Sequence, residues 1–424
     1  MILLLDLDGT LTNTAHPKFK EMKDGKISTV IDEIPVFDGA LDFIKEQKEK
    51  GNTLIIVSDS HPKYVKPIAE NIFKIDFVCL TDKPNIEKTL KHIQENESLN
   101  LSFQNKDNFV MIGDSWLDIE LGRRLKIRTV LTKFYKATKI DERDGIGQDW
   151  KPIKTGATYY ANSYIELSEI ITNPIKNLLA IEAIFQEEQS DKMVKFHFKK
   201  SQDGNFIAFR CLARQEDGEC DRFSRADKYF HIDNLARSKD FISTLASGIT
   251  NYIKRVEKYH EYNWDYISYV SDKKTTNPPN KMREIFDLVE TKFEKLKIFE
   301  WSKDVEGKLR YQPNYKARKE FIKKYLGIIP NLDLTNKSII IIDDQFTSSA
   351  TAHEICYQLR NNGVKNILFI ALFYLILPVV SKSCPKCDKL LSIKINKNKG
   401  TKFYSCTPPQ YKGNGCGYIE NIIE

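Results

Sequence analysis

A chain of 424 residues with 15 Pro, 19 Gly, no internal repeat and no low-complexity run lacks the composition of collagen-like or wholly disordered proteins. Charge of one sign is also scarce. The 65 Lys+Arg against 58 Asp+Glu leave a formal net charge of +7, which permits an anionic partner such as nucleic acid or a phosphorylated metabolite without requiring one. Eight cysteines do not describe a disulfide-knit fold: Cys384, Cys387, Cys406 and Cys416 crowd the last 41 residues, while Cys79, Cys211, Cys220 and Cys356 are scattered. Long apolar runs are missing as well. Residues 367–380 fall short of the ~20 residues a spanning helix needs and contain Pro378, so they are expected to form a buried strand and its exit. The N-terminus has no basic region and no small-residue cleavage site, so a soluble protein of the reducing cytoplasm, without membrane contact, is expected.

What is present is 41% apolar and 29% charged, and the length suits two or three domains. Short apolar runs at residues 2–5, 53–57, 109–112 and 129–131 alternate with segments of helical period, the pattern of a parallel α/β sheet. Asn173-Pro174 marks a boundary. A second block follows, with strong strands expected at 338–342 and 367–374 around a helix near 352–361. The expected fold class is therefore α/β, with two doubly wound parallel-sheet domains at 1–172 and 173–380. The remaining segment, 381–424, is too poor in apolar residues for a core of its own and needs another source of stability.

The first strand runs directly into Asp6-Leu7-Asp8-Gly9-Thr10. Two carboxylates at the C-terminal end of a parallel strand face the crevice where open α/β sheets bind ligands, and Gly9 lets the chain turn sharply there. Ser58 follows the run at 53–57 and offers a hydroxyl to a phosphate oxygen. Lys83 supplies a positive charge, and Asp114 and Asp118 follow the run at 109–112 with oxygens suited to Mg²⁺. In this order, each after a strand, these four elements resemble the haloacid dehalogenase superfamily of aspartate-nucleophile phosphatases. The resemblance implies that Asp6 is the nucleophile and Asp8 the general acid and base, with Thr10, Ser58 and Lys83 at the phosphoryl group. It further implies that Asp6, Asp8 (through its carbonyl), Asp114 and Asp118 serve the Mg²⁺ site. Only 51 residues separate Asp6 from Ser58, and 24 separate Ser58 from Lys83, so neither interval has room for a large cap domain. An open site that accepts bulky substrates is expected, although residues 13–35 could form a small lid.

In the second block an all-Ile strand leads to Asp343, Asp344, Gln345, Phe346, Thr347, Ser348, Ser349, Ala350 and Thr351. Backbone amides and hydroxyls at a helix N-terminus make an anion cradle, and two acids before it can accept hydrogen bonds from a vicinal diol. The segment resembles the phosphoribosyl diphosphate loop of type I phosphoribosyltransferases. That resemblance implies Asp343 and Asp344 at the ribose hydroxyls, Thr347, Ser348, Ser349, Ala350 and Thr351 at the 5-phosphate, and Lys273 or Lys274 at the diphosphate. Ser349 stands where that family usually has Gly, and Ser adopts a positive φ less readily. The family's base-recognising hood would fall at residues 178–241.

The tail places Cys384 and Cys387 two residues apart, then 18 residues, Cys406, nine residues and Cys416. Four thiolates so spaced suit one tetrahedral Zn²⁺. This segment resembles the four-cysteine zinc ribbon of bacterial type I topoisomerases, which implies contact with single-stranded nucleic acid. Lys394, Lys397, Lys399, Lys402, Phe403, Tyr404, Tyr411, Lys412 and Tyr418 interleave base-stacking and phosphate-binding types, and the same residues equally suit a purely structural staple.

Together these features point to a Mg²⁺- and Zn²⁺-containing bifunctional enzyme. It would combine phosphomonoester hydrolysis with phosphoribosyl transfer in making or salvaging a nucleotide-like or nucleoside-like metabolite. The alternative is a nucleic-acid-associated protein that trims polynucleotide ends and senses nucleotides, in repair or defence.

Overall fold

The computed structural model describes residues 1–14, 16–81, 83–134, 150–197, 208–215, 239–259, 263–273, 281–307, 309–312, 315–347, 349–377, 382–387, 391–395, 402–406 and 416–422. They group into two units, Met1–Asn177 and Leu178–Glu424.

In the first unit the short apolar runs become β1 (Ile2–Leu5), β2 (Thr53–Ser58), β3 (Val78–Leu80), β4 (Phe109–Gly113), β5 (Arg128–Thr132) and β6 (Tyr159–Ala161). All pair in parallel, in the order β3-β2-β1-β4-β5-β6. Leu3, Leu5, Ile55, Ile56, Met111 and Ile112 are wholly buried, so successive residues of the central strands are covered on both faces. The order of strands reverses direction between β1 and β4, and a sheet of this kind opens a crevice beyond the carboxyl ends at that point.

Local chemistry sharpens the crevice. Gly9 has φ +90, a conformation that spares the turn between Asp8 and Thr10 the cost a Cβ would add. Helix Trp116–Arg124 starts at Ser115, which forms a capping box with Asp118. Gly113 closes β4 where any Cβ would lie 2.3 Å from the Asp118 side chain, so only glycine lets that carboxylate fold back over the strand end.

The second unit has a six-stranded sheet in the order β10-β9-β13-β14-β8-β7. Its strands are β7 (Val194–His197), β8 (Ala208–Gln215), β9 (Tyr266–Tyr269), β10 (Glu294–Lys295), β13 (Ser338–Phe346) and β14 (Asn366–Leu375). A two-stranded ribbon pairs β11 (Phe299–Trp301) with β12 (Leu326–Ile328). Only the β7–β8 edge of the main sheet is antiparallel. The strand expected at 338–342 runs on to Phe346, so Asp343 and Asp344 are strand residues and not the start of a loop. The expected hood region contributes β8 to the sheet itself. Arg210 and Arg214 hide that strand from a hydrophobicity reading, and Arg214 is buried because Glu182 takes its Nε at 2.9 Å and its Nη2 at 3.1 Å.

The stretch expected as a buried strand and its exit is β14, buried at every residue from Ile367 to Tyr374. Pro378 lies outside the described residues. Among the described residues no helix is long and apolar enough to cross a membrane. The cysteine segment forms a three-stranded antiparallel sheet of β15 (Ser392–Ile395), β16 (Lys402–Ser405) and β17 (Ile419–Asn421).

Candidate functional site

At the crevice of the first unit, β1 delivers Asp6, β2 delivers Ser58, the loop after β3 delivers Lys83, the turn after β4 delivers Asp114 and the first turn of helix Trp116–Arg124 delivers Asp118. The Lys83 ammonium lies 2.5 Å from Asp6 Oδ1 and 2.6 Å from Asp118 Oδ1, and it also donates to the Val57 carbonyl at 3.3 Å. Asp59 receives the Lys83 backbone N–H at 2.7 Å and so fixes the loop that carries it. Thr10 donates to Asp6 Oδ2 at 3.4 Å, while Ser58 accepts the Ser60 N–H at 3.1 Å. Asp118 is oriented through its other oxygen by the Ser115 amide at 3.1 Å and hydroxyl at 2.6 Å.

Charge in this pocket is concentrated. Carboxylate oxygens of Asp6, Asp114 and Asp118 lie within 4.8 Å of one another. Burial and then the Asp118 carboxylate push Asp6 well above the usual carboxylate range, against the pull of Lys83. Burial alone would lower Lys83, but Asp118 and Asp6 outweigh it and hold the ammonium well above its ordinary value. Three clustered carboxylates facing one ammonium form a hard, oxygen-rich, electron-rich pocket, and that donor set fits Mg²⁺.

Asp8 has a separate set of partners. Thr14 donates to its Oδ1 at 2.5 Å, Tyr64 to the same oxygen at 2.9 Å and Ser60 to Oδ2 at 3.0 Å, with the Lys23 ammonium 3.1 Å from Oδ1. Burial would raise this acid, yet Lys23 and then the Thr14 and Tyr64 hydrogen bonds hold it below the ordinary range. Lys23 and Thr14 belong to residues 13–35, which dock on the next loop: the His61 N–H donates to the Lys23 carbonyl at 2.8 Å. Thr14, Lys23, Ser60 and Tyr64 carry no motif, and only the threonines that crowd the turn hint at them in the sequence.

In the second unit, Asp343, Asp344, Thr347, Ser349, Ala350 and Thr351 line one cavity of about 260 Å³. Ser349 stands at the N-cap of helix Ala350–Asn361 with φ +63, a left-handed conformation that costs serine more than glycine. Burial and then Asp344 push Asp343 well above the carboxylate range. Arg318, from helix Tyr315–Tyr325, lines the same cavity with Nη1 3.4 Å from Thr347 Oγ1, a residue no sequence motif singled out. Lys281 lies among the charges of Asp344, Asp272 and Asp343 and is another. Lys273 is not among the lining residues: its ammonium sits 4.5 Å from the ring centroids of both Trp301 and Phe321, and burial brings it down to about 8. Ser348 and Lys274 lie outside the described residues.

The four tail cysteines converge. The Sγ atoms of Cys384, Cys387, Cys406 and Cys416 lie within 4.8 Å of one another, with Cys384–Cys416 and Cys387–Cys406 each at 3.4 Å. A tetrahedral Zn²⁺ with ~2.3 Å bonds wants four sulfurs in about this space, so the set fits the metal. Tyr418 donates to Glu420 at 2.8 Å. Lys397, Lys399, Tyr411 and Lys412, the side chains of Lys394 and Lys402, and Cys220 lie outside the described residues, whereas Cys79, Cys211 and Cys356 are buried.

No protein-family model matches the sequence, and neither does any curated protein. Solved structures do align with part of it. A protein from Lactobacillus delbrueckii subsp. bulgaricus assigned as a phosphoglycolate phosphatase is 22% identical over 33% of this chain, which spans 54% of that protein, with a TM-score of 0.26. A HAD-superfamily hydrolase from Ehrlichia chaffeensis is 18% identical over 31% of this chain and 86% of its own, with a TM-score of 0.25. A HAD-family hydrolase from Deinococcus radiodurans R1, with bound phosphate and sodium, is 12% identical over 40% of this chain and 94% of its own, with a TM-score of 0.30. Likeness at that level carries no weight of its own, and the chemistry of the site rests on the distances above.

Proposed function

We propose that the first unit hydrolyses phosphomonoesters through an aspartyl-phosphate. The observation that carries this reading is the convergence of Asp6, Lys83, Asp114 and Asp118 at the carboxyl ends of parallel strands. An Asp6 oxygen attacks phosphorus and forms a P–O bond while the ester oxygen leaves. Lys83 and the Ser58 hydroxyl hold the phosphoryl oxygens, and the ammonium offsets charge that gathers on them. Water then attacks the aspartyl-phosphate, releasing phosphate and restoring the carboxylate, with Asp8 accepting the water's proton. Asp6, Asp114 and Asp118 would hold Mg²⁺, which supplies charge neutralisation at the phosphoryl group.

Lys23, Thr14 and Tyr64 favour the carboxylate form of Asp8, the form the second step needs. Protonating the leaving oxygen in the first step therefore requires a proton taken up with substrate. An aryl phosphate, which leaves as a stable phenolate, depends least on that proton.

For the second unit the proposal is phosphoribosyl binding and transfer. Asp343 and Asp344 would take the ribose hydroxyls and Thr347 to Thr351 the 5-phosphate, whereas Lys273, packed on Trp301 and Phe321, is not assigned to the diphosphate. The cavity shared by the two acids and the helix N-terminus supports this, and Arg318 adds a cation to its wall. With the four-cysteine site as a Zn²⁺ staple, the chain would be a bifunctional enzyme of nucleotide-like or nucleoside-like metabolites.

Two assays test the halves separately. Asp6→Asn should abolish Mg²⁺-dependent hydrolysis of an aryl phosphate, and full residual activity refutes the first half. Diphosphate release from phosphoribosyl diphosphate in the presence of candidate bases should disappear in Asp343→Ala plus Asp344→Ala, and turnover untouched by that pair refutes the second.

A further inference from the structure

Helices Tyr315–Tyr325 and Ala350–Asn361 pack side by side, and the groove between them carries an open row of aromatic and cationic side chains. Tyr315, Lys319 and Lys323 recur every four residues and share one face of the first helix, as His353 and Tyr357 share one face of the second. Contacts across the groove set its register. The Tyr315 hydroxyl lies 2.5 Å from His353 Nδ1, with their rings edge-on at 5.8 Å, and the Lys319 ammonium lies 5.5 Å from the Tyr357 ring centroid. Tyr315 is 41% exposed and Tyr357 52%, and Tyr311, just ahead of the first helix, is 68% exposed.

Charge on the first helix is one-sided. The first helix carries Lys316, Arg318, Lys319, Lys323 and Lys324 against a single acid, Glu320. Among the described residues, Lys316, Arg318, Lys319 and Lys323 form no ion pair. The same two helices supply Arg318 and Ala350 to the wall of the second unit's cavity. Exposed aromatics on a soluble surface are ordinarily scattered singly. Here Tyr315 and Tyr357 face each other's helix beside Lys319, and exposed Tyr311 precedes the first helix.

We propose that this groove is a binding track for a single-stranded polynucleotide. Unpaired bases present π-faces that stack on tyrosine whatever their identity, and phosphates between them meet lysine. Lys319 and Lys323 stand about 6 Å apart along the helix axis, close to the phosphate spacing of an extended strand. A duplex keeps its base faces hidden and would use only the cations, as would an acidic peptide. The track uses none of the residues of the four-cysteine segment, and it goes beyond the phosphoribosyl reading of the neighbouring cavity.

Fluorescence anisotropy of the full-length protein with a labelled single strand of about 15 nucleotides tests it. Wild type should bind DNA or RNA single strands, with affinity falling steeply between about 50 and 200 mM salt. Lys319→Glu plus Lys323→Glu should weaken binding at least ~10-fold and flatten the salt dependence by roughly one unit or more of log–log slope. Tyr357→Ala should weaken it ~5-fold or more at an unchanged slope, because it removes stacking and not charge. Thermal melts followed by circular dichroism that match wild type show that these surface variants fold. Should Tyr357→Ala fail to do so, the lysine pair decides alone. Absence of binding at the lowest salt, wild-type affinity in the lysine pair, or equal competition by duplex DNA or polyglutamate overturns the proposal.

Discussion

Two buried lysines, one in each unit, stand beside aspartates at the ends of parallel strands, and burial leaves them in opposite conditions. Lys83, 4% exposed, touches Asp6 and Asp118 at 2.5 and 2.6 Å, and those contacts raise it well above its ordinary value despite burial. Lys281, 5% exposed, feels Asp344, Asp272 and Asp343, yet burial outweighs all three and lowers it. The first arrangement has its cation locked by direct contact. The second holds several acids against their preference for water, and a ligand that brings donors or positive charge relieves them. Nearby opposite charge thus does not fix the outcome: the balance falls to the acids at Lys83 and to burial at Lys281.

Breaking the contact is the most severe way to test this contrast. Lys83→Met leaves two buried carboxylates without their cation and should cost about 3–5 kcal/mol in denaturant unfolding of the first unit, with aryl-phosphate turnover down at least ~100-fold. Next comes Asp8→Asn. It should reduce kcat/KM for an alkyl phosphate by about 10² or more and for an aryl phosphate by about 10-fold or less, and equal losses on both would remove Asp8 from the leaving-group step.

The second unit offers smaller effects of opposite sign. Burial, with Asp344 behind it, raises Asp272 to about 6, so the native state binds its proton more tightly than the unfolded chain does. That linkage removes stability as pH rises from about 4 through 6. Asp272→Asn should therefore stabilise the unit by about 1–3 kcal/mol at neutral pH and by nothing below about pH 4, measured by chemical denaturation across that range. Smallest is Ser349→Gly, which releases a left-handed serine and should add about 0.5–1 kcal/mol while leaving the cavity in place.

The first site was legible because each of its parts sits at the end of a short apolar strand, and the spacing of Asp6 from Asp8 and of Asp114 from Asp118 survives in the linear sequence. Its second layer was not legible. Thr14, Lys23, Ser60 and Tyr64 reach Asp8 from two segments that meet only through their packing, as in the His61 to Lys23 backbone bond. In the second unit Asp343, Asp344 and Thr347 to Thr351 were readable as strand, acids and helix start. Arg318 and Lys281 come from other helices, and β8 was hidden because Arg214 interrupts its apolar pattern until Glu182 buries the charge. Ser349, which stands where the resembled family usually has Gly, does take a left-handed φ, and its cost to serine follows from the added Cβ.

The central claim is that phosphoryl transfer in the first unit passes through Asp6. Rapid acid quench of the Mg²⁺-containing protein with a ³²P-labelled phosphomonoester measures it directly. Wild type should retain label that hydroxylamine releases, as an acyl phosphate does, and Asp6→Asn should retain none. Wild type that turns over substrate without ever carrying label, or Asp6→Asn that carries it as well, would contradict the account.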